Sequence, residues 1–221
     1  MVTREVWHRF VDDSGPLGEG PAGSTHRTSP SRGDRVVCDE DLPALRGYRG
    51  DLRLAVTGGA GQIAGPAAYC RTHGLEVSAL DLTVRDLDDP AGNVRRLVAA
   101  FDVVLADGHL VEDTIVHVRV TGELTPAWAA ALDEIAAAEW VVALPLGSVD
   151  LEPWIDAALD RETPVSFVGG TVEQAVAALT TTARLWGEES DLAAARRWVH
   201  SWATDDTDAA LEQLEQLEQL R

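Results

Sequence analysis

The sequence of 221 residues contains no lysine, so its 18 lysine-plus-arginine positions are all arginine, against 37 acidic residues and a formal net charge of −19. Without lysine the chain cannot form a Walker A phosphate loop, a Schiff-base site or the Tyr-xxx-Lys pair of short-chain dehydrogenases. The acidic excess leaves no basic face to contact the phosphates of nucleic acid or of an anionic membrane. We therefore expect neither nucleic acid nor a membrane among its partners.

Other sequence features are sparse as well. No stretch of apolar residues is long enough to span a membrane, and the N-terminal residues lack the apolar core of a signal peptide. The two cysteines, Cys38 and Cys70, form no CxxC pair, which suits a reducing compartment. The histidines include no i, i+4 pair, and no GxSxG motif is present. These absences favour a cytoplasmic protein and give no signature of a metal or serine-hydrolase site.

From residue 35 onward, short β-rich runs alternate with longer helical stretches. This order predicts βαβ units and a mostly parallel sheet within a single α/β domain over residues 35–221. Ahead of it, residues 1–34 are expected to form a short helix over 1–11 and a Gly-, Pro- and Ser-rich loop. The predicted strands are Arg35–Cys38, Leu52–Thr57, Val77–Val84, Thr114–Val120, Trp140–Leu146 and Pro164–Val168. The predicted helices cover 61–74, 92–106, 126–139, 151–162 and 171–186.

Six strands in roughly 135 residues favour an incomplete TIM-barrel-like sheet or an open doubly wound sheet, because a closed eight-stranded barrel typically takes about 250 residues. Two extra helices are predicted at Asp191–Ala203 and at about Asp206–Arg221. In the second helix, leucine recurs every third residue, at Leu211, Leu214, Leu217 and Leu220. This stripe favours packing on the same domain, and the alternative is a short helix that forms a homodimer or binds another protein.

A Gly-rich turn over residues 57–61 follows a hydrophobic strand in the segment LRLAVTGGAGQIAG. Glycines in such a turn allow close approach to a pyrophosphate at the next helix N-terminus. The following predicted strand contains VSALD, which places Asp81 where an acid can bind ribose hydroxyls. The segment resembles the TGGAGxIG fingerprint of extended short-chain dehydrogenases, which implies NAD or NADP bound by Thr57, Gly58, Gly61 and Asp81. The alternative is a Gly-rich turn that binds nothing.

Four other segments, NVRRLVAAFDVVLADG, TPAWAAALDEIAAAEW, WIDAALDRETPV and ARRWVHSWATDD, cover much of the chain. They resemble a family of high-GC bacterial proteins of no established activity, whose strand–helix repeat implies a TIM-barrel-like fold. The chain departs from that family at the carboxyl ends of the strands, where a barrel keeps its chemistry. The family's Lys-x-Arg-Thr-Gly-Gly is replaced by residues 143–148, its Lys-x-Thr-Ala-Gly-Leu-His-His by residues 166–173, and a glutamate by Arg119. The resemblance therefore implies a degenerate member.

Two functions remain open from the sequence. The first is a catalytically degenerate barrel-like protein that acts as a binding or partner subunit. The second is an NAD(P)- or nucleotide-sugar-binding oxidoreductase or epimerase-like protein that uses the 57–61 turn and Asp81. In either case the strand carboxyl ends are the expected ligand site, where Arg85 and Arg119 could bind an anionic group and Ser166 is a third candidate. For each arginine, the alternative is an ion pair with a neighbouring acid.

Overall fold

The sheet closes into an eight-stranded parallel barrel in which strands pair in chain order and β1 pairs with β8. The computed structural model describes residues 6–17, 29–188 and 191–219, with side chains described as far as residue 217. The strands are β1 (Val11–Asp13), β2 (Arg32–Cys38), β3 (Asp51–Ala55), β4 (Glu76–Thr83), β5 (Ile115–Arg119), β6 (Val141–Pro145), β7 (Val165–Val168) and β8 (Val199–Thr204).

Helices follow the strands from β3 onward, while a 3-10 helix at Asp39–Leu45 joins β2 to β3. They are α1 (Ala64–His73), α2 (Pro90–Ala106), α3 (Pro126–Ala137), α4 (Leu151–Leu159), α5 (Val172–Leu185), α6 (Leu192–Arg196) and α7 (Thr207–Gln219). Both α2 and α3 begin with proline after a capping side chain, since Asp89 and Thr125 accept a hydrogen bond from the amide three residues on. No helix within the described ranges is long and apolar enough to cross a membrane.

The prediction of alternating strands and helices around a parallel sheet is confirmed, but the count of six strands and the open or incomplete sheet are wrong. Two strands were missed. β1 has only three residues, too few for a periodic pattern. β8 lies inside the helix predicted at Asp191–Ala203, where a helix-favouring stretch runs directly into it. Because a seven-residue 3-10 helix takes the place of an α-helix between β2 and β3, the barrel closes within a shorter chain than expected.

The N-terminal segment contributes directly to the barrel. Within the helix predicted over 1–11, residues 6–9 form a turn and Val11 begins β1, while residues 1–5 lie outside the described residues. Of the loop predicted over 14–34, residues 18–28 also lie outside them, and Arg32 already belongs to β2. The sheet therefore includes residues on both sides of the boundary expected at residue 34.

Apolar packing fills the layer between the sheet and the helices. Leu52 and Leu54 on β3 and Leu80 on β4 are completely buried there, as are Trp154 and Ile155 on α4. These strand residues alternate with residues that point into the barrel, as a pleated strand requires. Helix packing on this layer provides the main hydrophobic contribution to stability.

The leucine stripe of α7 packs on the chain's own barrel. Leu211 and Leu214 are buried, and Leu217 packs against the same core, while Leu220 lies outside the described residues. The two buried leucines are therefore not available to a second copy. Dimerisation through the remaining surface of α7 stays a prediction.

Candidate functional site

The interior of the barrel is polar and charged. The Arg53 guanidinium extends from β3 to Asp12 on β1, with 3.0 Å between Nη1 and Oδ2, and to Ser201 on β8, with 3.2 Å between Nη1 and Oγ. Neither β1 nor β8 is a neighbour of β3, so these contacts cross the inside of the barrel. The Arg53 side chain is fully buried.

Four charged side chains form a continuous chain from the interior to the carboxyl ends of the strands. Beyond Asp12 and Arg53, the Oδ2 atom of Asp81 lies 3.4 Å from Arg53 Nη2 and 3.0 Å from Arg119 Nη2. Asp81 is almost fully buried, whereas 37% of the Arg119 side chain is exposed. We call these residues the charge chain (Asp12, Arg53, Asp81 and Arg119). Its Arg119 end is the one that a ligand in solution can contact.

Opposite charges dominate the electrostatics around Arg53. Burial acts to lower the pKa of its guanidinium, but attraction by Asp81 and Asp12 outweighs that penalty, so the pKa is raised. Arg53 is therefore a permanent cation inside the barrel. Two positive and two negative groups alternate along the charge chain, so their formal charges cancel.

A second polar cluster lies beside the charge chain. His117 Nδ1 is 2.9 Å from Ser166 Oγ, and the rings of His117 and His200 meet edge to face with centroids 5.0 Å apart. Burial, reinforced by the charge of Arg53, lowers the pKa of His117 well below its usual value and that of His200 to about 4. Both imidazoles are therefore neutral near pH 7. A serine beside a histidine can act as a nucleophile, but both of these side chains are fully buried.

The barrel opens to solvent at the carboxyl ends of its strands. Residues paired laterally in a sheet face the same side, so strand register identifies the inward-facing residues at this end. Six of them are partly exposed, and we call them the mouth ring: Cys38, Ala55, Thr83, Arg119, Pro145 and Val168. Arg119 is the one formally charged member of this ring. Burial raises the pKa of the Cys38 thiol, helped by the acids Asp39–Asp41, so the thiol stays protonated.

The residues of the Gly-rich turn lie outside the mouth ring. Thr57 is exposed, and its Oγ1 donates a hydrogen bond to Asp39 Oδ1 at 2.7 Å. Arg85, also exposed, donates a hydrogen bond to the Thr57 carbonyl. A Cβ on Gly58 would collide with the Gln62 side chain, whereas Gly61 has open space around it. Close packing of Gln62 therefore accounts for Gly58 without a ligand.

The structure brings the predicted site residues together only in pairs. Asp81 meets Arg119, Arg85 meets Thr57, and Ser166 is buried against His117. Asp81 already accepts from Arg119 and lies close to Arg53, so its Oδ2 is engaged by two guanidinium groups rather than free for ribose hydroxyls. The acid and the glycine turn of the proposed dinucleotide fingerprint thus do not share one surface.

Sequence reasoning missed the members of the interior that carry most of its charge. Arg53 and Asp12 were not singled out, although Arg53 stands between Leu52 and Leu54 in a predicted strand. A charged residue flanked by leucines on a pleated strand faces the side opposite to them. Strands of a parallel sheet usually carry apolar residues on both faces. An arginine in such a strand was therefore the sequence signal that pointed to a polar inner face.

Comparison with known proteins adds no relative. The chain matches none of the protein-family models and none of the curated proteins with which it was compared. In the part of the chain that the structure describes, no three histidine, cysteine, aspartate or glutamate side chains are grouped so that they could hold a metal ion.

Proposed function

We propose that this barrel is a binding protein without chemistry of its own, and that a small anionic ligand binds at the mouth ring through Arg119. One observation carries the proposal: the partly exposed guanidinium of Arg119 is the only formal charge in an otherwise uncharged ring of inward-facing residues. Small-ligand sites typically combine a mostly apolar lining with a few placed polar or charged groups. The exposed part of the Arg119 side chain, 37%, is what a ligand in solution can contact.

The groups that acid–base catalysis would require are held in one state. General acids and bases work best when their pKa lies near the working pH. His117 has a pKa far below that range and no contact with solvent, and the pKa of the Cys38 thiol is raised. Asp81 is engaged by two guanidinium groups. These features favour binding over proton transfer.

The departures from the resembled bacterial family support the same proposal. Polar residues expected after β6 and β7 are replaced by residues such as Pro145 and Val168, both in the mouth ring. The glutamate expected on β5 is replaced by Arg119, which reverses the charge offered to a ligand. A barrel that keeps its scaffold and loses polar strand ends is expected to bind rather than to react.

Thermal unfolding followed by tryptophan fluorescence tests the proposal with acetate, inorganic phosphate and NAD(H) or NADP(H) as probes. A ligand at about 100 times its Kd adds about 2.7 kcal/mol of stability, which raises Tm by roughly 5–10 °C. We expect at least one of the simple anions to raise Tm in the parent protein but not in Arg119→Met, and to be recovered unchanged. Stabilisation by neither anion contradicts the proposal. Stabilisation by a dinucleotide that Asp81→Asn removes favours the oxidoreductase alternative.

A further inference from the structure

The β7–β8 side of the mouth differs from the phosphate site that many eight-stranded α/β barrels have there. A cavity of about 230 Å³ lies between the starts of α5 and α7. Its lining includes Glu173, Asp205 and Asp206 and no arginine. A phosphate group entering this cavity would meet three carboxylates and no cation from its walls.

At the start of each of the two helices beside this cavity, one amide that could bind phosphate already has a partner in the chain itself. At the start of α5, the Gln174 amide donates to Thr171 Oγ1, and the Thr171 amide donates to Gln174 Oε1 at 2.9 Å. At the start of α7, the Ala209 amide donates to Asp206 Oδ1. A helix N-terminus binds an anion through amides that have no other partner. Neither helix offers that arrangement in full.

The Arg119 side of the mouth is suited to a single negative charge. Asp81, with Oδ2 3.0 Å from the guanidinium, already offsets the positive charge of Arg119, so a second negative charge on the ligand would find no further cation in the mouth ring. At Cys38 in the mouth ring, burial raises the pKa of the thiol, and the charges of Asp39–Asp41 outweigh that of Arg119 and help to raise it. In addition to Arg119, the ring includes the small apolar side chains of Ala55 on β3, Pro145 on β6 and Val168 on β7.

We propose that the mouth ring selects a short-chain monocarboxylate and excludes phosphorylated ligands. The inference rests on the proposed function, since it assumes that Arg119 binds an anion. A carboxylate carries one charge and matches the planar donors of a guanidinium. Its hydrocarbon tail fits the apolar members of the mouth ring. A phosphate ester would leave these apolar side chains uncovered and would place a doubly charged group beside them.

Isothermal titration of the full chain with butyrate, inorganic phosphate and glycerol 3-phosphate tests the selection. We expect butyrate to bind at least tenfold more tightly than either phosphate compound, and Arg119→Met to weaken butyrate binding at least tenfold. The matched control is Arg95→Met on α2, whose guanidinium pairs with Glu134 on the outer surface, and butyrate affinity there is expected to stay within twofold.

The outcomes separate this inference from the function on which it rests. If phosphate binds as tightly as butyrate and Arg119→Met abolishes both, the anion-binding function stands and the selection for monocarboxylates is wrong. If none of the three binds the parent protein, the anion-binding function itself is contradicted.

Two further variants keep the test decisive if Arg119→Met does not fold. Ala55→Leu adds bulk to a partly exposed position of the mouth ring and is expected to weaken butyrate binding several-fold with Arg119 in place. Glu173→Gln combined with Asp205→Asn removes two exposed carboxylates from the β7–β8 cavity. That double variant is expected to bind phosphate more tightly than the parent does. Unchanged binding in both variants overturns the proposal.

Discussion

The two faces of the barrel sheet bury opposite kinds of side chain, apolar on the outer face and charged on the inner face. On β3, Leu52 and Leu54 point outward into an apolar layer covered by helices, while Arg53 between them points inward to Asp12 and Asp81. The outer layer gains stability from apolar area removed from water. The interior forms ion pairs whose desolvation cost is comparable to their attraction, so they add little net stability. Removing one member of such a pair, however, leaves the charge of the other member buried without a partner. The outer layer thus determines how stable the barrel is, whereas the ion pairs of the interior restrict which residues can occupy the interior positions.

The largest expected effect comes from Arg53→Met, compared with Leu54→Ala on the same strand. Removing the guanidinium leaves two buried carboxylates without their shared cation, which typically costs about 3–5 kcal/mol. Leu54→Ala creates a cavity in the outer layer and costs about 2–5 kcal/mol. Urea unfolding of both variants measures the two costs.

The two losses differ in how they can be repaired. Adding Asp12→Asn and Asp81→Asn to Arg53→Met removes the two carboxylate charges that Arg53 balances, while the Asn side chains can still accept hydrogen bonds. We expect most of the lost stability to return. The same two changes added to Leu54→Ala should lower stability further. A triple variant no more stable than Arg53→Met alone would show that buried carboxylate charge is not the cause of the stability lost in Arg53→Met.

Acidification is expected to weaken the interior before it affects the outer layer. The unfolded pKa of histidine is about 6.5, and that of folded His200 is about 4, so the unfolded state binds more protons between these values. Stability is unaffected by His200 above pH 6.5 and falls by about 1.4 kcal/mol per pH unit below it. Buried His117, whose pKa is also lowered, adds to the slope. Chemical denaturation at several pH values measures it.

His200→Gln serves as the control for this pH dependence. Glutamine cannot take up a proton, so the contribution of His200 to the slope between pH 6.5 and 4 disappears. An unchanged slope in His200→Gln would contradict the assignment to the interior.

The smallest effect is expected outside the barrel. Arg95 and Glu134 form an ion pair of 2.6 Å between α2 and α3, with 58% of the Arg95 side chain exposed. Solvent-exposed pairs contribute roughly 0–1 kcal/mol, and salt screens them. Arg95→Met should therefore change stability by less than about 1 kcal/mol in urea unfolding. A loss approaching that of Arg53→Met would remove the distinction between interior and surface pairs.

Local residue patterns were sufficient to predict most of the helices and strands, but they did not predict the closure of the barrel. The helix predicted over 126–139 matches α3, which begins at Pro126, and the helix predicted over 92–106 matches α2, after which Gly108 adopts a positive φ. Barrel closure depends on the three residues of β1 and on β8, which carry no clear period. Closure is a property of non-local pairing, so residue patterns within a window do not contain it.

The candidate site was predictable only where a residue stands at a strand end. Arg119 was recognised there, with an ion pair to an unspecified neighbouring acid as the alternative, and the structure identifies Asp81 as an acid that pairs with it. The role of Asp81 as a dinucleotide ligand followed from its position in sequence, whereas its side-chain direction depends on which strands lie opposite β4. The hydrogen-bond partners of Arg53, Asp12 and Ser201, lie on β1 and β8, the strands that the patterns missed, so the sequence did not indicate that these residues would meet.

The seam between β1 and β8 also orders events during synthesis. It joins Val11 to Trp202 and Asp13 to Thr204, residues about 190 positions apart. On a ribosome, β1 emerges first and finds no partner on that side until β8 has left the exit tunnel. Pairing of such distant segments is slow, and unpaired strand edges promote aggregation. The nascent chain therefore carries an open edge while the residues between β1 and β8 are translated, and its yield depends on what protects that edge during this time.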